Sequence, residues 1–149
     1  MSEFDRNVII DTITRMLARR EHSVLEIEQK LRQKGVPESD FMPVVQEFVD
    51  NDIQSNLRYA EARTRAMASR GSGPVKIRGD LRQRGVDEAD IERALDEADV
   101  DWYQLAFEVK CKKYGGALAQ DYAQRMKQMQ FLKYRGFAMV HIEYAVQGD

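Results

Sequence analysis

Residues 81–86 read LRQRGV, and residues 31–36 read LRQKGV. Near-duplication of six residues within a chain of 149 is either a binding phrase used twice or a piece of architecture. A third variant, LKYRGF at 132–137, helps decide, because Gly35, Gly85 and Gly136 then stand at intervals of 50 and 51. Each glycine follows a basic residue (Lys34, Arg84, Arg135) and precedes an apolar one (Val36, Val86, Phe137). Each has a leucine four positions upstream, Leu31, Leu81 or Leu132. Six positions downstream stand Phe41, Ile91 and Ile142, and ten downstream Val45, Leu95 and Val146. Five aligned columns over three copies define an internal repeat of about fifty residues.

The phrase has the chemistry of a helix ending. Glycine just past the last helical residue adopts the left-handed conformation that turns the chain away. The apolar residue after it folds back onto the leucine one turn inside. A basic side chain at the last position complements the partial negative charge of the exposed carbonyls. Architecture therefore explains the duplication, and any contact made by the basic residue is additional.

Apolar periodicity divides each repeat into three helices. In the first, Ile10, Ile13, Met16 and Leu17 form an inward stripe, and SVLE at 23–26 is a capping box with Ser23 as cap. A helix through Leu25, Ile27 and Leu31 stops at Gly35. Pro37 is placed in the first turn of the next, which carries Phe41, Val44, Val45 and Phe48. In the second repeat Ser55 or Asn56 caps a helix bearing Leu57, Tyr59, Ala60 and Met67. GSGP at 71–74 breaks the chain, Ile77 and Leu81 lead to Gly85, and Asp87 caps a helix bearing Ile91, Ala94 and Leu95. The third opens with Trp102, Leu105, Ala106 and Val109 and breaks at YGG, 114–116. It continues through Tyr122, Met126, Met129 and Leu132, then closes with Ile142 and Val146. No segment sustains a period of two. The expectation is an all-α chain of nine helices in three modules, 1–54, 55–100 and 101–149. A three-helix unit this small has a marginal core alone, so neighbours should stack into an elongated, curved array that bends near 54 and 100.

Composition sets the remaining bounds. With 43% apolar and 32% charged residues the chain is a folded protein rather than a disordered one. The start, MSEFDRNVII, is acidic and lacks an apolar core followed by small residues, so no signal peptide is expected, and no apolar run reaches membrane-spanning length. The lone Cys111 fits a reducing compartment, so a cytoplasmic protein is expected; separately, a monomer is expected. One cysteine with His22 and His141 makes no metal cage. GSGPVK lacks the ending of a phosphate loop, and His22 beside Ser23 has no orienting acid. No enzyme activity and no cofactor are expected.

Charge is more informative in its distribution than in its total of −2. Residues 55–85 carry a balance of +6, 86–100 of −6, and 103–135 of +5. Bases collect on the first two helices of a repeat and acids on the third. Stacked in one sense, the modules would line up a basic strip and an acidic one. Arg78 and Arg82 stand one turn apart on a shared face. Solvation and intramolecular pairing are the plainer use of each such residue.

The phrases ARREHSVLEIEQKLRQKGV (18–36), LRYA (57–60), GSGPVKIRGDLRQRGV (71–86), DW (101–102) and FLKYRGF (131–137) together resemble the RecX family, bacterial regulators of the RecA recombinase. The resemblance spans most of the chain in the family's order. It implies a modulator of three tandem three-helix modules that binds RecA and the RecA–DNA filament, suppressing filament growth, strand exchange and ATP turnover during recombination and the SOS response. Single- or double-stranded DNA is a further partner under this reading, and a membrane is not. A DNA-binding protein that obstructs RecA by occupying DNA is the alternative. One departure stands out: where the family often has acidic residues before its LRYA-like phrase, this chain has Ser55 and Asn56. Candidates for partner contact are Arg70, Lys76, Arg78, Arg82, Arg84, Lys112, Lys113, Arg125, Lys127, Lys133 and Arg135. Capping already accounts for Arg84 and Arg135.

Overall fold

The computed structural model describes residues 5–147. Nine α-helices occupy them: α1 (Arg6–Arg19), α2 (Val24–Gln33), α3 (Glu38–Asp50), α4 (Asn56–Ser69), α5 (Pro74–Gln83), α6 (Glu88–Ala98), α7 (Trp102–Tyr114), α8 (Tyr122–Tyr134) and α9 (Met139–Gln147). No strand occurs among the described residues. The helices pack in consecutive threes, each around its own core. Ile9, Ile13, Ile27, Leu31, Phe41 and Val44 fill the first. Tyr59, Ile77, Leu81, Ile91 and Leu95 fill the second, and Ala106, Leu132, Phe137, Ile142 and Val146 the third.

The repeated phrase closes α2, α5 and α8 in the same way. Gly35, Gly85 and Gly136 have φ of +83, +82 and +93°. The amide of the following residue donates back to the leucine carbonyl: Val36 to Leu31 at 3.0 Å, Val86 to Leu81 at 3.0 Å and Phe137 to Leu132 at 3.2 Å. The glycine amides bond one residue further on, to Arg32, Arg82 and Lys133. This is the double hydrogen bond of a Schellman ending, and the apolar pairs that accompany it are all buried.

Helix starts follow expectation with two refinements. Ser23 and Glu26 form the capping box, and Asp87 caps α6. Pro37 sits one residue earlier than expected, as the extended residue before α3. Ser55, not Asn56, caps α4. The Asn56 amide oxygen instead accepts from the Val24 amide at 3.0 Å, helping to cap α2 in the module before. Tyr122 departs from its expected inward stripe and is 75% exposed, leaving Leu132 as the buried apolar residue of α8. The first turn of α8 stands off the core, so its apolar period does not register with burial.

Candidate partner-binding surface

The caps also build the joints between modules. In the first joint, Arg84, the last residue before Gly85, donates to the Glu26 carboxylate at 2.8 Å and to Asp80 at 3.1 Å. Glu26 also receives Arg20 at 3.1 Å, the Tyr59 hydroxyl at 3.2 Å and the Ser23 amide at 3.2 Å. Burial alone would raise the Glu26 pKa, but Arg20, Ser23 and Arg84 outweigh it and hold the carboxyl below its ordinary value. Gln54, buried, donates to the His22 carbonyl at 3.1 Å and to Asn56 at 2.9 Å.

The second joint uses backbone. The carbonyls of Arg135 and Gly136 accept from the Gly73 and Val75 amides at 2.8 and 2.9 Å. The carbonyl end of α8 thus satisfies the amide end of α5, joining two helix dipoles head to tail. Gly73 has to be glycine, since a Cβ there would collide with the Gly136 carbonyl and the Phe137 amide nitrogen. The GSGP break is therefore the seat of the third module. Its reading as a helix break holds, with Pro74 at the start of α5. Trp102 and Leu105 of α7 add apolar contact to the second core.

The candidate cations fall into two groups. Arg78 bonds Glu92 at 2.7 Å, Arg82 bonds Glu88, and Arg84 is held in the first joint. The acids of α6 thus neutralise the bases of α5 within one module, which is the plain use of the alternating charge blocks. By contrast, Arg70, Lys76, Lys112, Lys113, Arg125, Lys127, Lys133 and Arg135 make no ion pair among the described residues. All ion pairs found there lie between residues 6 and 92. Among the described residues, the cations of the third module make no ion pair.

Four of these residues meet. Arg70, Lys112, Lys113 and Arg135 line a cleft of about 480 Å³ between the second and third modules, walled by Leu105, Val109 and Phe131. Arg135 donates to the Arg70 carbonyl at 2.7 Å, and Lys113 lies 4.5 Å from the centre of the Phe131 ring. Lys76 reaches across the joint to 5.8 Å from the Tyr134 ring centre. Arg125 lies apart, beside Leu118 and Val146, and Lys127 and Lys133 are exposed along α8. The corresponding hollow at the first joint, about 820 Å³, contains Glu26 among Arg19, Arg20, Lys30 and Arg84.

Reading along the chain missed two features. Lys110, counted there only within the positive balance of 103–135, is fully buried and donates to the Ala117 carbonyl at 2.9 Å. Its place next to Val109 on the inward side of α7 was the available signal. Phe131 and Tyr134, the rings flanking the cations, were not singled out either. His22 donates through Nδ1 to the Arg20 carbonyl at 3.0 Å, and His141 stacks edge-on against Tyr103. No cluster of His, Cys, Asp and Glu suited to a metal occurs among the described residues, and no described helix is long and apolar enough to cross a membrane.

Fold and surface define a tandem array of three-helix modules whose ion pairs, among the described residues, all lie in the first two. Family models of the first, second and third three-helix domains of RecX match residues 11–48, 55–95 and 99–146. The regulatory protein RecX of Vibrio vulnificus (strain CMCP6) is 34% identical over 139 residues, covering 93% of this chain and 91% of its own. That of Pseudomonas entomophila (strain L48) is 39% identical over 133 residues, covering 89% and 86%. A crystal structure of a regulatory protein RecX agrees in fold with a TM-score of 0.76 at 24% identity, covering 95% of this chain and 73% of that one. RecX from Lactobacillus salivarius gives 0.74 at 22%, covering 96% and 92%. The chain belongs to the RecX family.

Proposed function

We propose that this protein is a non-enzymatic cytoplasmic regulator that binds the RecA recombinase and its nucleoprotein filament and restrains filament growth, strand exchange and ATP turnover. The observation that carries the reading is the presence of all three RecX domains, in order, over most of the chain. The tandem array lies along the helical groove of the filament and bridges neighbouring protomers, with basic side chains toward acidic protein surface and DNA phosphate. Bridged protomers resist both subunit addition and the motions coupled to nucleotide hydrolysis.

The unpaired cations of the third module favour a second reading, obstruction of RecA through occupation of DNA. One titration separates the two. The protein is added to RecA alone, to bare single-stranded DNA and to assembled filament, each at low and high salt, with RecA ATPase followed in parallel. A filament regulator prefers the filament to either component and inhibits at substoichiometric DNA coverage. An obstructing protein binds bare DNA as well as filament, with affinity falling steeply as salt rises. Failure to inhibit under any of these conditions rejects both.

A further inference from the structure

The two joints occupy the same architectural position and differ in electrostatics. At the first, Arg84 is answered by Glu26 and Asp80. At the second, Arg135 is answered by a neutral carbonyl, that of Arg70. Glu108, the one carboxylate lining the cleft, accepts from Gln104 at 3.3 Å rather than pairing with a cleft cation. A concave site is left with four cations against one carboxylate, and none of the four is ion-paired among the described residues. That arrangement is electrostatically costly unless an anion completes it.

Aromatic rings stand beside cations at and next to the cleft. Phe131 and Tyr134 stand three residues apart on α8 and so share a face. Phe131 lies between Lys113 and Arg135, whose guanidinium carbon is 5.6 Å from the ring centre. Tyr134 is 80% exposed, packs in none of the three cores, and has Lys76 on one side. Burial does not explain a tyrosine held in that position. A ring open on one face beside a cation, one helical turn from the Phe131 that walls the cleft, is how proteins hold unstacked bases next to their phosphates.

The geometry points to a single-stranded nucleic-acid site at this joint, with phosphates in the cleft and a base stacked on Tyr134. It deepens the proposed function, and rests on it only for the physiological setting, by assigning the nucleic-acid contact to the third module and leaving Arg78, Arg82 and Arg84 to structure. A duplex offers the cations its phosphates but no free base face for Tyr134. An acidic protein segment would likewise leave the ring idle.

Fluorescence anisotropy of a labelled oligothymidylate of about twenty nucleotides tests this on the full chain, between about 50 and 200 mM salt. The expected result is salt-dependent binding that Tyr134→Ala weakens about tenfold with the salt slope unchanged. Lys112→Gln with Lys113→Gln should lower both affinity and salt slope. The charge-matched pair Arg15→Gln with Arg19→Gln, on α1, should leave both as they were. A duplex of equal length should compete less well than the strand. No binding by the parent protein, indifference to Tyr134→Ala, equal loss in the α1 pair, or equal competition by duplex or by a polyglutamate peptide would each overturn the site. RecA ATPase separates this from the broader reading. Strand binding without RecA inhibition sinks the regulator and keeps the site, whereas inhibition without strand binding sinks the site alone.

Discussion

The Arg84 guanidinium donates at 2.8 Å to the carboxylate of Glu26, 58 positions earlier in the chain. The cation that ends the middle helix of one module thereby answers the anion that begins the middle helix of the module before. Asp80 takes the other edge of Arg84 and also binds Arg63 at 2.9 Å, so charge runs without interruption from α2 through α5 to α4. Glu26→Gln keeps the shape and removes the charge. It should cost about 1–2 kcal/mol, the worth of a charge-assisted hydrogen bond in a half-buried setting, and loosen the angle between the first two modules. Urea midpoints report the first effect and the radius of gyration from small-angle scattering the second. An unchanged radius would show that the apolar contacts alone set the angle.

The three capping glycines predict a ranked series. All share a left-handed backbone, which costs an alanine about 1–2 kcal/mol wherever it is introduced. Their surroundings differ. A Cβ on Gly35 meets nothing within 4 Å, while one on Gly85 meets the Leu25 Cβ at 2.9 Å. One on Gly136 runs into the Lys76 Cβ and comes within 2.8 Å of the Lys76 backbone nitrogen. Gly35→Ala should therefore be mildest, Gly85→Ala intermediate and Gly136→Ala most severe, as ordered by urea midpoint. Equal costs would mean that the caps end helices and do nothing for the joints.

That series also shows what was legible in advance. Leu81 through Val86 announces its own helix ending because the signal is local: a backbone that needs glycine and a leucine within one turn. Ser23 and Glu26 announce a helix start for the same reason. The docking of Gly136 on Gly73 joins residues far apart in sequence, and each glycine already had a sufficient local explanation. The charge blocks were visible too, but net charge per segment does not say which cations find a carboxylate. Arg78 and Arg82 find Glu92 and Glu88 because α5 and α6 pack against each other. Lys112 and Lys113, on a helix with few acids near it, do not.

Stability should fall with acid in two stages. Burial lowers the pKa of His22, opposed in part by its bond to the Arg20 carbonyl; burial also lowers that of His141, opposed by Asp101 and assisted by Arg78. The fold thus favours both rings neutral. Their contribution is complete above the unfolded histidine value of 6.5 and is lost as pH falls from there through the depressed folded values. Glu26 and Asp80 act at lower pH. Burial raises each, but arginine hydrogen bonds bring both below their ordinary values of 4.5 and 3.8. Their share is present above those values and disappears as pH drops through the folded ones. Urea midpoints measured from about pH 8 to pH 3 should show both declines, and His141→Gln should flatten the first. A profile level between about pH 7 and pH 5 would remove the histidines from the account.

Lys110 should behave as a pin for the turn between α7 and α8. Its side chain is wholly enclosed, and its ammonium lies 5.7 Å from the centre of the Phe107 ring and donates at 2.9 Å to the Ala117 carbonyl. A buried ammonium with that partner contributes both volume and a tether, and two substitutions separate them. Lys110→Met keeps most of the volume and loses the tether. Global stability should stay within about 1 kcal/mol, because removing charge from the interior offsets the lost hydrogen bond. Amide exchange across residues 115–121 should nevertheless accelerate, since their anchor is gone. Lys110→Ala loses the volume as well and should cost about 2–4 kcal/mol, in the range of other large-to-small core changes. The informative comparison is between the two variants in the same exchange experiment. Equal protection of 115–121 in the parent and in Lys110→Met would mean that packing alone holds the turn and that the ammonium contributes nothing to it.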